Sequence, residues 1–344
     1  MKRLLIINYS MNKDNPIFGH QVDNVTELKK YYDQIVVLTG DEKFDFQGDG
    51  YQIVSYRWEM GHRLESSVRF LICFIRVFLK FKPKTVFSHM TEVQSSLIAP
   101  ALRILGVKHF LWYAHKSKSV YLRWCHFWLN GIITSTPGSC PIISKKVHAI
   151  GQAINPELFP WSERENLSRN RLIHIGRIDP SKKIENIIES FLIFYKADPD
   201  AKLMFVGEPS SNLTNQYQNR IKFKYSDDIK SGKIKFLGKK SRKQLSEIIL
   251  EADMFIHAFE GSLDKSIVEA TFMGIPVVTI NQEYRKIFGT WNNNLAQNEL
   301  SSELQAYLGC TIETIKKECL RRFEIASDFH SLEHWGISIE RVMN

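Results

Sequence analysis

Short apolar runs alternate with longer amphipathic segments along the whole 344-residue chain. Runs of four to seven apolar residues between segments of helical period are typical of parallel strands buried under helices on both faces. The pattern therefore predicts an α/β fold with two successive sets of strands. The first set is Leu4–Asn8, Ile35–Thr39, Thr85–Ser88, Phe110–Tyr113 and Ile132–Ser135. The second set is Leu172–Ile175, Lys202–Val206, Ile234–Leu237, Met254–His257 and Pro276–Thr279.

The segment Asn155–Asn170 between the two sets is polar, contains Pro156 and Pro160, and has no convincing period. Such a segment predicts a linker between domains. A length of 344 residues also favours two domains. We predict an N-terminal domain over residues 1–155 and a C-terminal domain over 156–325.

The composition is that of a folded globular protein, with 44% hydrophobic and 24% charged residues. The five cysteines are scattered and form no C-x-x-C pair, so we expect neither a zinc site nor a disulfide framework. This use of cysteine favours a cytoplasmic location. No apolar segment predicts a signal peptide or a membrane-spanning helix.

Positive charge is concentrated in the first half of the chain. Residues 1–160 carry 20 Lys or Arg and 12 Asp or Glu, whereas residues 161–344 carry 26 and 25. This asymmetry indicates an anionic partner, either a nucleic acid or a membrane surface. The segment Ser66–Phe81 is rich in apolar residues and carries Arg69, Arg76 and Lys80 on one stripe. Two interpretations stay open: a helix on an anionic membrane, or a crossover helix whose basic edge is solvated.

Candidate chemistry in the second half begins where a predicted strand ends in RLIHIGRIDPSKK. Gly176 allows a close backbone turn, Arg177 offers a planar fork of donors, and Lys182 precedes an amphipathic helix, which together predict an anion site. Gly207 and Leu237–Gly238 follow two further predicted strands. Because ligands bind at the carboxyl ends of parallel strands, these positions predict a crevice.

A polar loop and the helix after it, within residues 252–278, complete the candidate site. Backbone N–H groups at a helix N-terminus favour phosphate, and the loop residues are Gly261, Ser262, Asp264 and Lys265. Glu269 is placed to accept two ribose hydroxyls, or it is simply a favourable charge early in a helix.

GRIDPSKK at 176–183 and EGSLDKSIVEATFMGIPVV at 260–278 together resemble the nucleotide-sugar domain of retaining glycosyltransferases of family 4, the glycosyl transferases group 1. In the first half, a histidine follows a strand in LWYAHKSKS, and GQAINPELF resembles the family's G-x-G-I-D-x-x-x-F. The resemblance implies the GT-B fold, in which two Rossmann-like domains face each other across a cleft. It also implies a last helix, within 326–344, that crosses back to the N-terminal domain.

The resemblance implies roles for individual residues. Arg177 and Lys182 would bind the diphosphate and stabilise it as it leaves, and we expect both side chains to be exposed. Glu269 would hold the ribose, and His115 would lie over the donor sugar.

The sequence departs from the family at one point. The usual E-x7-E pattern would place its first glutamate at Gly261, in a loop that reads G-S-L-D-K. Either Asp264 or Glu260 would then make the sugar contact.

Gly19, His20 and Gln21 form a turn before a predicted helix and resemble the family's glycine loop. They would contact donor or acceptor, unless the turn is only a helix start. Asp198-Pro199-Asp200 lies in a polar turn and not at a strand end, so we expect no metal and no cofactor apart from the nucleotide-sugar donor.

The sequence thus predicts a cytoplasmic enzyme that adds a sugar to a glycan or lipid-linked acceptor in cell-surface polysaccharide synthesis, with peripheral association to an anionic membrane. A nucleotide-sugar epimerase of the same fold is the alternative. A basic nucleic-acid-binding protein is the other, but no nucleic-acid motif is present, and we expect no nucleic-acid partner.

Overall fold

The computed structural model describes residues 1–15, 18–41, 50–59, 61–164 and 168–344. The chain forms two compact units: the first domain, Met1–Ala153 with Leu332–Asn344, and the second domain, Ile154–Ser331. Residues 165–167 of the predicted linker lie outside the described residues. Within the described ranges, no helix is both long enough and apolar enough to span a bilayer.

The first domain is built on one parallel sheet. Its strands are β1 (Arg3–Asn8), β2 (Gln34–Thr39), β3 (Tyr51–Ser55), β4 (Thr85–His89), β5 (Lys108–Trp112), β6 (Gly131–Thr134) and β7 (Val147–Ala149). They are ordered β3-β2-β1-β4-β5-β6-β7. The helices between them are α1 (His20–Leu28), α2 (Arg63–Phe81), α3 (Glu92–Ile104) and α4 (Val120–Trp128).

The second domain has a smaller parallel sheet. Its strands are β8 (Arg171–Ile175), β9 (Lys202–Val206), β10 (Ile234–Phe236), β11 (Met254–His257) and β12 (Val277–Thr279), ordered β10-β9-β8-β11-β12. Its helices are α5 (Ile184–Tyr195), α6 (Asn212–Lys224), α7 (Ser226–Lys230), α8 (Arg242–Glu251), α9 (Lys265–Phe272), α10 (Gln282–Phe288), α11 (Leu300–Gly309) and α12 (Ile312–His330). The chain then returns to the first domain as α13 (Leu332–Met343).

The predicted strands all overlap strands of the structure, but β3 and β7 were not predicted. Both lie at the edges of the first sheet, and their residues are half-buried or exposed. Because an edge strand is not covered on both faces, Gln52 and His148 interrupt the apolar run that identifies a central strand.

Alternate residues of the first sheet face different helices. Leu4 and Ile6 pack in the same cluster as residues of α1 and α13. Leu5 and Ile7 pack with α2 and α3, and a further cluster joins α3 to α4. One face of the sheet is therefore covered by α1 and α13, and the other by α2, α3 and α4, as right-handed crossovers require.

The segment that returns to the first domain starts at Leu332, not at residue 326 as predicted. The boundary lies later because α12 continues to His330, whose carbonyl accepts from the N–H of Ile154 at 2.9 Å. In α13, Trp335 is fully buried, with its ring 6.2 Å from Phe87 and 6.0 Å from Trp112. These ring contacts fix the returning helix on the first sheet.

Three glycines bring the ends of β8, β9 and β10 close together. The Gly176 N–H donates to the Val206 carbonyl, and the Gly207 N–H donates to the Gly238 carbonyl, both at 3.0 Å. Gly207 has φ +136°, and a Cβ there would lie 1.9 Å from the Gly176 carbonyl oxygen. A side chain at position 207 would therefore force two strand ends apart.

We expect Gly207→Ala to lower the free energy of unfolding by more than about 3 kcal/mol, because the methyl group adds a backbone clash to an unfavourable φ. Gly232→Ala is the matched control, since Gly232 has φ +79° and open space around it. The control should lose only the roughly 1–3 kcal/mol of backbone strain. Urea denaturation of both variants measures the difference, and equal losses would contradict the close approach.

Candidate functional site

The candidate site lies at the switch point of the second sheet, the place between β8 and β11 where the strand order reverses. From β8 the chain passes to β9 on one side, while β11 pairs with β8 on the other. Loops that leave such neighbouring strands in opposite directions open a crevice at their carboxyl ends. Lys182 follows β8 and Asp264 follows β11, so the sheet order brings them together.

Lys182 is held by a short 3-10 turn, Pro180–Lys182. The Asp179 carboxylate accepts from the N–H of Ser181 at 2.9 Å and from its hydroxyl at 2.6 Å, which fixes that turn. The Lys182 Nζ donates to Asp264 Oδ2 and lies 3.9 Å from the centre of the Phe259 ring. The aspartate and proline of GRIDPSKK therefore aim the lysine.

Asp264 precedes the first residue of α9 and accepts a second hydrogen bond, from His257 Nε2 at 3.2 Å. Burial alone would raise the pKa of Asp264, but the Lys182 charge and the His257 hydrogen bond outweigh it and hold that pKa well below its ordinary value. The other His257 nitrogen, Nδ1, lies 2.9 Å from the Thr279 hydroxyl. Asp264 is thus an ionised carboxylate with a fixed donor on each side.

The expectation that Arg177 and Lys182 are both exposed is wrong for Lys182. Arg177 is exposed, but Lys182 is only 7% exposed because Phe259 and Asp264 cover it. Arg177 is therefore the more accessible of the two predicted phosphate ligands.

The loop after β11 is held by a residue that follows the next strand, β12. The Asn281 side-chain amide donates to the carbonyls of Phe259 at 2.8 Å and Ser262 at 3.0 Å. Gly261 lies between them, where a Cβ would overlap the Phe259 ring. Sequence reasoning missed Asn281, because the motif gives no sign that a residue beyond β12 shapes this loop.

Glu260, the other candidate for the missing glutamate, is also paired. Its carboxylate accepts from Lys183 Nζ and from the Asn298 side-chain amide. Arg285, which is buried, donates to Asn298 Oδ1 at 3.0 Å and so holds that residue. Both candidate carboxylates therefore have cationic partners, and the choice between them for the sugar contact stays a prediction.

Glu269 lies in the second turn of α9 and is buried. Arg242, the first residue of α8, donates from Nη2 to Glu269 Oε1 at 3.2 Å. Sequence reasoning missed Arg242, because the charged segment around it is typical of a solvated helix start. The ribose role of Glu269 stays a prediction, with Arg242 as the neighbour that would orient it.

The remaining predicted residues lie at the same edge of the second sheet. Gly176, Gly207 and Leu237 directly follow β8, β9 and β10. The Leu237 N–H donates to the Phe205 carbonyl at 2.8 Å. Lys265 is the first residue of α9. Strand order therefore brings the predicted donor-side residues to one edge.

His174 lies in β8 beside this edge and is fully buried. Its Nδ1 donates to the Ile256 carbonyl at 3.0 Å, and its ring stacks on His257 at 5.9 Å. Burial, aided by His257, lowers the pKa of His174 to about 3. The imidazole is therefore neutral at physiological pH.

In the first domain, the predicted turn residues have unequal environments. A Cβ on Gly19 would lie 2.4 Å from the Lys13 carbonyl oxygen, so the turn needs glycine. The Gln21 side chain is buried: its Oε1 accepts from the Ser10 N–H at 3.3 Å and its Nε2 donates to His89 Nδ1 at 2.9 Å. Gln21 thus holds His89 in place, whereas His20 is half-buried with its ring 5.7 Å from that of His89.

His115 lies three residues beyond β5 and is exposed. Its Nδ1 accepts from the Ser117 N–H at 3.0 Å. Glu92 is the first residue of α3, the helix that follows β4, and β4 is the neighbour of β5 in the sheet. Sequence reasoning missed this residue. Burial raises the pKa of its carboxyl, and burial together with Glu92 raises the pKa of Tyr9, just after β1, to about 12.

Most of the second domain matches a known sequence family. The model of the family "Glycosyl transferases group 1" matches residues 156–302, a range that includes both Lys182 and Asn298. No curated protein sequence matches the chain significantly.

Solved structures match almost the whole chain. HepE of Anabaena in complex with UDP-glucose is 14% identical, with a TM-score of 0.72 and 99% coverage of both chains. Sucrose-phosphate synthase of Thermosynechococcus elongatus is 13% identical, with a TM-score of 0.76 and coverage of 99% of this chain and 98% of that chain. A glycosyltransferase of Rickettsia africae is 13% identical, with a TM-score of 0.70 and the same coverage. The chain has the GT-B fold.

The GT-B assignment confirms the prediction of two Rossmann-like domains from the alternation of strands and helices. The family match also falls on the half that carries the GRIDPSKK and EGSLDKSIVE motifs. Membership of family 4 and retention of configuration stay predictions.

Lys182→Ala should destabilise the protein by about 3–5 kcal/mol, because it leaves the Asp264 carboxylate, whose side chain is only 18% exposed, without its cation. Arg177→Ala, at an exposed position, should change stability by no more than about 0.5 kcal/mol. Urea denaturation at neutral pH measures both. The double variant Lys182→Met with Asp264→Asn should recover most of the loss, and failure to recover would mean that the ion pair is not the cause.

Stability should fall as pH decreases below about 6.5, the ordinary histidine pKa. Because the folded-state pKa of His174 is about 3, the unfolded chain binds a proton there that the folded chain does not. At pH 5 this difference in proton binding lowers the free energy of unfolding by about 2 kcal/mol. His174→Phe should abolish that loss, as measured by urea unfolding at neutral pH and at pH 5. His62→Phe, at an exposed position, is the control and should keep the wild-type slope.

Proposed function

We propose that this protein is a retaining, metal-independent glycosyltransferase that moves a sugar from a nucleoside-diphosphate donor to a glycan or lipid-linked acceptor. One observation carries the proposal: the fixed cation Lys182 and the N-terminus of α9 meet at the switch point of the second sheet. The family match covers the same residues.

The donor diphosphate would bind at this edge. Close approach of a phosphate needs backbone without side chains, which Gly176 and Gly207 provide, and N–H groups at a helix N-terminus, which α9 provides. Arg177 is exposed and lies close enough to Asp179 to help lower the pKa of that carboxyl, against the effect of burial. It would be the first cation that the diphosphate meets.

Lys182 would act later, when the bond to the sugar breaks. Negative charge then grows on the phosphate oxygens, and a cation that is already positioned stabilises it without reorganisation. The hydrogen bond to Asp264 and the contact with the Phe259 ring hold the Lys182 Nζ in position before that moment. Asp264 is therefore a positioning residue in this proposal.

Retention would let the leaving phosphate itself accept the proton of the acceptor hydroxyl, so that no side-chain base is needed. Glu269 would accept the ribose hydroxyls, oriented by Arg242. On the first domain, His115, His20, Glu92 and Tyr9 are polar groups at the carboxyl ends of strands, where an acceptor rich in hydroxyls would bind.

UDP-sugars are the first donors to try, because HepE, a structure of the same fold, is complexed with UDP-glucose. We place the acceptor in cell-surface polysaccharide synthesis at the cytoplasmic face of a membrane. The support for this placement is the excess of basic over acidic residues in the first half of the chain.

The test is nucleotide binding followed by transfer, both with EDTA present. At 100 times its dissociation constant, the correct nucleoside diphosphate should stabilise the protein by about 2.7 kcal/mol in thermal unfolding.

Arg177→Ala should lower turnover of the sugar donor by about 10²–10³, the scale of losing one hydrogen-bond donor to developing charge. Arg220→Ala, an exposed arginine of α6, is the control and should keep wild-type turnover.

Glu269→Gln should weaken nucleotide affinity, which tests the ribose contact without a measurement of transfer. Glu247→Gln, on the exposed side of α8, is its control.

Loss of activity in EDTA that is restored by Mg²⁺ or Mn²⁺ would contradict metal independence. Conversion of the donor to its epimer without acceptor would favour the epimerase instead.

A further inference from the structure

α2 has apolar side chains on both of its faces. The inner face buries Phe70 and Phe74 in the core of the first domain, so α2 is the predicted crossover helix. The outer face carries a second apolar row, whose members are Leu64, Val68, Ile72, Ile75 and Leu79, each 46–88% exposed. At 3.6 residues per turn this row covers an arc of only about 80°.

The basic stripe predicted from the sequence borders this row. Arg76 and Lys80 are exposed, and Arg69 is partly exposed and paired with Glu59 and Glu65. The two interpretations of the segment thus apply to opposite faces of one helix: one face packs on the sheet, and the other is apolar with a cationic border.

α3 and α4 extend the same surface. They cover the same side of the sheet as α2, and both expose apolar side chains outward. α3 and its C-terminal end expose Leu97, Ile104 and Leu105, and α4 exposes Val120, Tyr121, Trp124 and Phe127. In α4 the rings of Trp124 and Phe127 lie 5.7 Å and 5.0 Å from that of Trp128. We call the outward side of these three helices the α2–α4 face.

The chain segment that contains these three helices, together with β4 and β5, has a large excess of basic residues. Residues 63–128 contain 11 Lys or Arg and two acidic residues, Glu65 and Glu92, so their net charge equals the +9 of the whole chain. Trp, Tyr and Phe beside Lys and Arg are the combination found at the boundary between lipid headgroups and acyl chains. Each basic residue near an anionic bilayer contributes about five-fold to binding.

We propose that the α2–α4 face is the surface by which the first domain docks on an anionic lipid bilayer, with the apolar row of α2 and the aromatic residues of α4 in the interface. This inference deepens the proposed function, on which it rests for the choice of a lipid-linked acceptor. Charge complementarity commits the face to anionic lipid, and an exposed apolar surface of this extent needs an occupant. A bilayer also accommodates exposed apolar side chains from three helices without the shape match that a protein partner requires.

Flotation of the full chain with vesicles of phosphatidylcholine, with and without phosphatidylglycerol, tests the proposal. We expect binding to anionic vesicles at least ten-fold above neutral ones, weaker at roughly 1 M salt than at 0.1 M because the Debye length falls from about 10 Å to 3 Å. Leu79→Ser with Phe127→Ser should lower binding at least ten-fold. Leu213→Ser with Phe223→Ser is the matched control, since both residues are exposed on α6 of the second domain.

Charge is tested separately by Arg76→Glu with Lys80→Glu, which should lower binding by about 25-fold or more. Lys230→Glu with Lys235→Glu, at exposed positions in the second domain, is its control and should bind like the wild type. Quenching of tryptophan fluorescence by brominated lipids should also fall in Trp124→Phe, which distinguishes insertion from charge attraction alone.

No binding to anionic vesicles, equal binding to both lipids, or equal losses in the matched controls would overturn the proposal. A dimer seen by light scattering and dissolved by Leu79→Ser with Phe127→Ser, with vesicle binding unchanged, would assign the face to a second copy of the chain and also overturn it. Nucleotide binding, measured on the same samples, keeps the two questions apart: intact nucleotide binding without vesicle binding contradicts only the docking surface. Vesicle binding without nucleotide binding supports the docking surface and contradicts only the proposed function.

Discussion

Taking an ammonium and a carboxylate out of water together is the constraint on which the candidate site depends. The side chains of Lys182 and Asp264 are only 9% and 18% exposed, and leaving either ion there without its partner would cost several kcal/mol. The pair joins the loops that follow β8 and β11, so it closes the switch point of the second sheet.

The groups around this pair restrict its geometry further. His257 and Thr279 restrain the carboxylate, Asn281 restrains the loop before it, and the Phe259 ring covers the ammonium. These contacts come from β11, β12 and the loops that follow them. A cation held in this way can stabilise developing negative charge with little rearrangement.

The first domain uses its charge differently. Gln21, His89 and Trp112 pack together inside it, whereas Arg76 and Lys80 are exposed beside the apolar row of α2. Successive side chains of each strand point to opposite faces of the first sheet. One set of residues packs on α1 and α13, and the other packs on α2, α3 and α4. Because α2 has apolar residues on two opposite sides, it packs on the core and still leaves an exposed apolar row beside its basic stripe.

The sequence by itself determined the central strands, the two-domain α/β organisation and the edge at which Gly176, Gly207 and Lys182 lie, because apolar periodicity and turn residues are local signals. It did not predict β3 and β7, since edge strands lack the continuous apolar run of buried ones. Only the tertiary structure decided that Lys182 is buried and pairs with Asp264, 82 positions away, while Glu260 pairs with Lys183. Partners so distant are selected by strand order and by the cost of leaving a buried charge alone, and neither is written in any one segment of the chain.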